Sequence, residues 1–96
     1  MADDALDRIF AALADPTRRE ILRRVVAGDT TLTDLTASFA ISTQALWRHL
    51  RVLERAGLIS RYRNAQRRPC RLESVILDDT AEWLLALSAS GRTRWG

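Results

Sequence analysis

Apolar residues recur at helical spacing as far as Gly57 and then switch to the alternation of short strands. Few small folds accommodate helices, then a hairpin, then another helix in that order. Upstream of the switch, Leu6, Ile9, Phe10 and Leu13 follow i, i+3, i+4, i+7, which predicts a first helix over about residues 4–14. Asp15-Pro16 reads as an N-cap followed by proline at the first helical position. The second helix carries Ile21, Leu22, Val25 and Val26 and ends at Gly28. Thr31-Leu32-Thr33-Asp34 resembles a capping box for a short third helix whose inner side is Leu32, Leu35 and Phe39. A tight turn at Ala40-Ile41 follows, and Ser42 caps a fourth helix with Leu46, Leu50 and Leu53 inside.

Beyond Gly57, Leu58–Arg63 and Pro69–Glu73 read as two strands joined by a polar loop, Asn64-Ala65-Gln66-Arg67-Arg68. Asp79-Thr80-Ala81-Glu82 is a further capping box, expected to open a last helix containing Trp83, Leu84 and Leu87. The expected fold is mainly α with a small β-hairpin wing, a winged helix-turn-helix. At 96 residues there is room for one domain, 1–96, with about 88–96 expected as a frayed tail. A chain of this size hides only about 60–65% of its unfolded surface, so help from a second copy is useful.

Charge is unevenly placed. The net charge is +3. Residues 42–72 hold eight Arg against one acid, Glu54, a net +7, and the flanking segments are each −2. All fifteen cations are Arg. Coding bias accounts for Arg over Lys but gives no reason for the clustering. Along the fourth helix, Gln44, Arg48, Arg51 and Arg55 fall on the side opposite Leu46, Leu50 and Leu53, with Trp47 at its edge. Arg pairs with guanine O6 and N7, and Gln with adenine N6 and N7. Ser42, Thr43 and the first amides of the helix sit where a phosphate docks. On the hairpin, Arg63, Gln66 and Arg67 are the expected contacts to the DNA backbone or minor groove. A solvated Arg-rich surface is the bland alternative. His49 reads either as a packed histidine with one local hydrogen bond or as a phosphate contact.

Enzymatic function is not expected. One His and one Cys on separate elements supply no nucleophile, base and orienter. No metal ligand set or cofactor site is legible. The single cysteine excludes an intrachain disulfide. Apolar runs such as Trp83–Leu87 are far short of a membrane span, and Asp3 and Asp4 open the chain where a signal peptide would be basic. A cytoplasmic protein whose partners are double-stranded DNA and a second copy of itself is the expectation. A winged-helix module for protein interaction without DNA binding is the alternative, against which the +7 segment speaks.

Phe10-Ala11-Ala12-Leu13-Ala14-Asp15-Pro16-Thr17-Arg18-Arg19 is similar to the opening signature of the ArsR family of bacterial repressors. Trp47-Arg48-His49-Leu50-Arg51-Val52-Leu53-Glu54-Arg55-Ala56-Gly57-Leu58 resembles the family's recognition helix. The resemblance implies a homodimer paired through the first and last helices, major-groove reading and repression of nearby genes. Leu6, Ile9, Phe10, Leu13, Trp83, Leu84 and Leu87 are the expected interface residues. Arg68-Pro69-Cys70-Arg71-Leu72 and Glu82-Trp83-Leu84 resemble a metal-independent branch. The cysteines or carboxylate–histidine sets of metal-sensing members are absent from the third and last helices. Two positions depart from the family pattern. Ala40 stands at a turn position usually held by Gly, where a left-handed backbone costs about 1 kcal/mol. Trp47 replaces a small residue on the groove side, there to stack on DNA or to fold back onto the protein. Alternation with Leu72 turns Cys70 inward; a redox-sensing thiol between Arg68 and Arg71 is the other reading.

Overall fold

The computed structural model describes residues 3–95. The element order is α1 (Asp3–Leu13), α2 (Pro16–Ala27), α3 (Leu32–Ser38), α4 (Thr43–Arg55), β1 (Ile59–Arg61), β2 (Cys70–Leu72) and α5 (Ser74–Trp95). Three helix starts are set by side-chain caps. Asp15, Thr31 and Ser42 each accept the backbone N–H three residues on, at 3.1 Å in every case. The N–H of Arg18 at the Asp15 carboxylate, more than any neighbouring charge, holds that carboxyl below its ordinary pKa.

Ile9, Ala12, Ile21, Leu22, Val25, Leu35, Leu46, Leu50 and Leu53 form the core of α1–α4, with Leu58, Ile59 and Cys70 closing it from the hairpin side. Leu46, Leu50 and Leu53 are fully buried, so the apolar stripe of α4 fixes which side of that helix faces out. The α3–α4 turn avoids the left-handed backbone feared at Ala40. Phe39 leaves α3 in an extended conformation, and among the described residues the one non-glycine at positive φ is Ala65. α4 ends in the αL cap expected of Gly57. That residue has φ 77°, its N–H bonds Glu54 O, and the N–H of Leu58 bonds Leu53 O. A Cβ on Gly57 would also lie 3.3 Å from Ile76 of α5, so the position suits glycine twice over.

β1 and β2 pair antiparallel with Ile59 opposite Leu72 and Arg61 opposite Cys70. The same register continues outward through Tyr62 N–H to Pro69 O and a reciprocal pair between Asn64 and Arg67. The connecting turn is therefore two residues, Ala65-Gln66, not the five-residue loop expected from polarity. Sequence reading also missed a third rung. Thr30, just before α3, exchanges backbone hydrogen bonds with Cys70, at 3.3 Å and 2.6 Å.

The last helix departs most from expectation. It starts at Ser74, directly after β2, and not at Asp79. Thr80 lies inside it and donates its hydroxyl to Ile76 O at 2.8 Å, so the apparent capping box is a helix-interior segment. Residues 88–95, expected to fray, continue the helix, and Gly96 lies outside the described residues. At 22 residues α5 is roughly 33 Å long. It accounts for the elongated shape, 54 × 26 × 24 Å.

Candidate nucleic-acid interface

Burying Leu46, Leu50 and Leu53 turns Gln44, Arg48, Arg51 and Arg55 to solvent on one face of α4. Arg48 and Arg55 make no ion pair among the described residues. Trp47, Arg48, Arg51, Val52 and Arg55 line a shallow depression of about 370 Å³ on that face. Ser42, Thr43 and Gln44 are exposed at the N-terminal end, where the Ser42 hydroxyl is engaged as the cap. Gln44, Arg48, Arg51 and Arg55 therefore share one exposed face of α4, as the helical spacing predicted.

Trp47 does not point freely into the groove. It is half-buried, with the Arg61 guanidinium 4.8 Å and that of Arg51 5.6 Å from its ring centre. Of the two readings, folding back onto the protein is the one observed. Arg61 is itself half-buried, and its Nε is buried without a hydrogen-bond partner.

On the wing, Arg63, Gln66, Arg67 and Arg68 are exposed. Arg67 is tethered by a 3.0 Å ion pair to Asp34 on α3, which offsets part of its charge. Arg63 and Arg68 are unpaired among the described residues. Gln66, Arg67 and Arg68, together with Arg61 and with Thr31, Leu32 and Thr33, line an open cleft of about 420 Å³ between the wing and the start of α3. At the root of the wing, Asp29 accepts the Tyr62 hydroxyl at 2.6 Å and lies 3.7 Å from Arg71. That hydrogen bond, which ties up the phenol proton, raises the Tyr62 pKa above its ordinary value.

His49 is a half-buried histidine whose partner is not local: its Nδ1 lies 3.1 Å from the guanidinium of Arg18, on α2. Arg18 also donates through Nε to Ala12 O at 2.8 Å and through Nη2 to Ala11 O at 3.0 Å. Arg19 donates to Leu13 O at 2.8 Å. These two arginines satisfy the last carbonyls of α1, and Arg18 joins α1 to the reading helix. Arg18 and Arg61 are residues that sequence reasoning did not single out. The Arg18-Arg19 pair two residues into a Pro-started helix was a signal, but nothing local disclosed its acceptors. Cys70 faces inward and is fully buried, and that burial raises its thiol pKa, the reverse of a reactive cysteine.

The expected dimer residues divide. Leu6 and Ile9 are buried in the chain's own core, so they offer no surface to a partner. Leu13 is half-buried against the same core. Phe10, Trp83, Leu84 and Leu87 are exposed, at 38%, 37%, 48% and 54%, as are Leu85 and Val75. Phe10 and Trp83 touch each other, with ring centres 6.0 Å apart, and so join α1 to α5. Among the described residues there is no group of three His, Cys, Asp or Glu placed to hold a metal, and no helix long and apolar enough to cross a membrane.

A short helix, a tight turn and an Arg-faced helix flanked by an arginine-bearing hairpin define a winged helix-turn-helix DNA-binding module. Residues 13–61 match the family model described as a helix-turn-helix domain. Over 80 residues the chain is 36% identical to the transcriptional repressor SdpR of Bacillus subtilis, covering 83% of this chain and 89% of that protein. Its structure matches an ArsR-like transcriptional regulator from Rhodococcus sp. RHA1 with a TM-score of 0.89 and 31% identity, covering 95% and 86% of the two chains. At 19% identity, a homodimeric winged helix-turn-helix domain from Mycobacterium bovis shares the fold, with a TM-score of 0.72 and coverage of 100% and 94%. The chain belongs to the ArsR family of winged helix-turn-helix transcriptional regulators, DNA-binding proteins and not enzymes.

Proposed function

We propose that the chain is a homodimeric repressor, acting in the cytoplasm, that binds a pseudo-palindromic duplex with one α4 in the major groove of each half-site. The observation that carries this reading is the split of α4 into a buried Leu46/Leu50/Leu53 stripe and an exposed Gln44/Arg48/Arg51/Arg55 face. Arg48 is the base reader. It lies in the first two turns, where penetration is deepest, and makes no ion pair. Arg51, Arg55, Arg63 and the exposed residues around the wing cleft meet phosphates, as do Ser42, Thr43 and the first amides of α4. Arg67 reaches DNA only by sharing itself with Asp34.

The exposed apolar residues of α5, with Phe10, supply the surface for a second copy. That the Mycobacterium bovis neighbour is homodimeric supports this pairing, and the repressor role of SdpR supports repression. The scattered lone His49 and Cys70 favour the metal-independent branch.

Binding selection with randomised duplexes tests the reading. Arg48→Ala is expected to cost about 1–3 kcal/mol and to relax preference at one base pair per half-site. If six to ten phosphates are neutralised, affinity falls by roughly 10³–10⁵ between about 50 and 200 mM salt. An Arg48→Ala protein weakened equally on every sequence removes Arg48 as base reader. A wild-type chain with no salt-dependent DNA binding overturns the DNA function and returns the protein-interaction module as the better account.

A further inference from the structure

We propose that Trp47 is a positioning residue for DNA recognition, one that locks the wing to the reading helix by holding Arg61 between itself and the hairpin. This rests on the proposed DNA-binding function. Trp47 stands on the groove-side edge of α4, yet two guanidinium groups lie over its ring, Arg61 at 4.8 Å and Arg51 at 5.6 Å. The ring is thus engaged by the protein's own side chains before any DNA is present. Arg61 closes β1, opposite Cys70, at the point where the hairpin leaves the core. Its Nε is buried and unbonded, so the indole face is what compensates the half-buried cation on that side.

Besides Arg61 on Trp47, three side-chain contacts hold the wing among the described residues. Tyr62 and Arg71 tie its root to Asp29, and Arg67 ties its tip to Asp34. Both of those anchors lie on the α2–α3 side. Among the ring and polar side-chain contacts of the described residues, Arg61 on Trp47 is the one that joins the wing to the groove face of α4. Arg51, itself exposed, remains a donor while its place over the ring is kept, and Arg61 serves as the link rather than as a DNA contact. The helix and wing then meet the duplex at a set separation, without either having to be ordered on binding.

Two measurements test this, one of which needs no DNA. In Trp47→Ala and in Arg61→Ala, amide exchange at Tyr62, Asn64 and Arg67 should quicken by roughly tenfold, the double variant should be no faster than either, and Trp47→Phe should keep part of the protection. With operator DNA, Trp47→Ala should bind roughly tenfold more weakly and lose hydroxyl-radical protection in the segments flanking each half-site, while its preferred bases stay the same. Circular dichroism confirms that each variant is folded, and Trp47→Phe decides if Trp47→Ala is not. Unchanged exchange in the folded Trp47 variants overturns the brace, as does exchange that simply adds in the double variant. A shift of base preference in Trp47→Ala with wing exchange intact makes Trp47 a base reader instead. Should the wild-type chain bind no DNA, the functional reading fails, and the exchange experiment still decides whether the brace exists.

Discussion

Replacing Arg18 should loosen three helices at once. In the native chain its side chain is 17% exposed. It donates to Ala12 O and Ala11 O at the end of α1, and its Nη1 faces His49 Nδ1 on α4. A hydrogen bond with one charged partner is worth about 1.5–3 kcal/mol when well buried. The Ala11 bond is exposed and counts for little, and the other two are part-buried and lie at the low end. The weak 3.9 Å approach to Asp15 adds nothing measurable at the surface. Arg18→Ala should therefore cost about 2–3 kcal/mol, a large share of a stability of about 5–15 kcal/mol. For a domain of this size that lowers the melting temperature by roughly 10–20 °C. Arg18→Lys, a point donor reaching one acceptor, should lose about half as much. Urea and thermal unfolding followed by circular dichroism at one fixed protein concentration measure both variants. An Arg18→Ala protein within about 0.5 kcal/mol of wild type would show that the carbonyls are equally well served by water. Arg18 would then not interlock the three helices.

Two further outcomes are expected. Leu84→Glu or Leu87→Glu should turn the proposed dimer into a folded monomer in sedimentation, because both residues are about half exposed and outside the core; a dimer that persists in both variants places the interface elsewhere. Burial raises the Cys70 thiol pKa, so its contribution to stability is fully present below the ordinary thiol pKa and is lost as pH rises through the raised one. Native protein at neutral pH should accordingly resist thiol alkylation and lose stability in the alkaline range, and Cys70→Ala should flatten that alkaline loss; rapid labelling of the folded chain at neutral pH contradicts the buried site.

What could be read from the sequence was what is decided locally. Asp15, Thr31 and Ser42 cap their helices as expected because a cap needs only the three residues that follow it. The faces of α4 were legible because 3.6-residue periodicity needs no knowledge of the partner. Failures came where a distant element decides. The Thr30–Cys70 pairing joins residues forty apart and leaves no periodic trace. Asp79–Glu82 carries the chemistry of a helix start, yet the chain was already helical from Ser74, so the local signal was overridden. Leu6 and Ile9, expected at the dimer interface, instead pack inward on their own chain. For Trp47 the sequence offered two fates, and the choice turned on Arg61, fourteen positions away on the next element.

The exposure of α5 has a consequence for how such a protein is kept apart from its kin. From Ala81 to Ser90 every residue of that helix is exposed in the single chain. Apart from Trp83, which packs on Phe10, substitutions there disturb no core and fall in the class that changes stability by about 0.5 kcal/mol or less. The reading helix, by contrast, has its inner stripe locked in the core and its outer face committed to charge. A genome holding several copies of this fold therefore has a cheap place to insulate them from one another. With α5 as the proposed pairing surface, rewriting the far half of that one helix would alter which chains pair while α4 stays as it is.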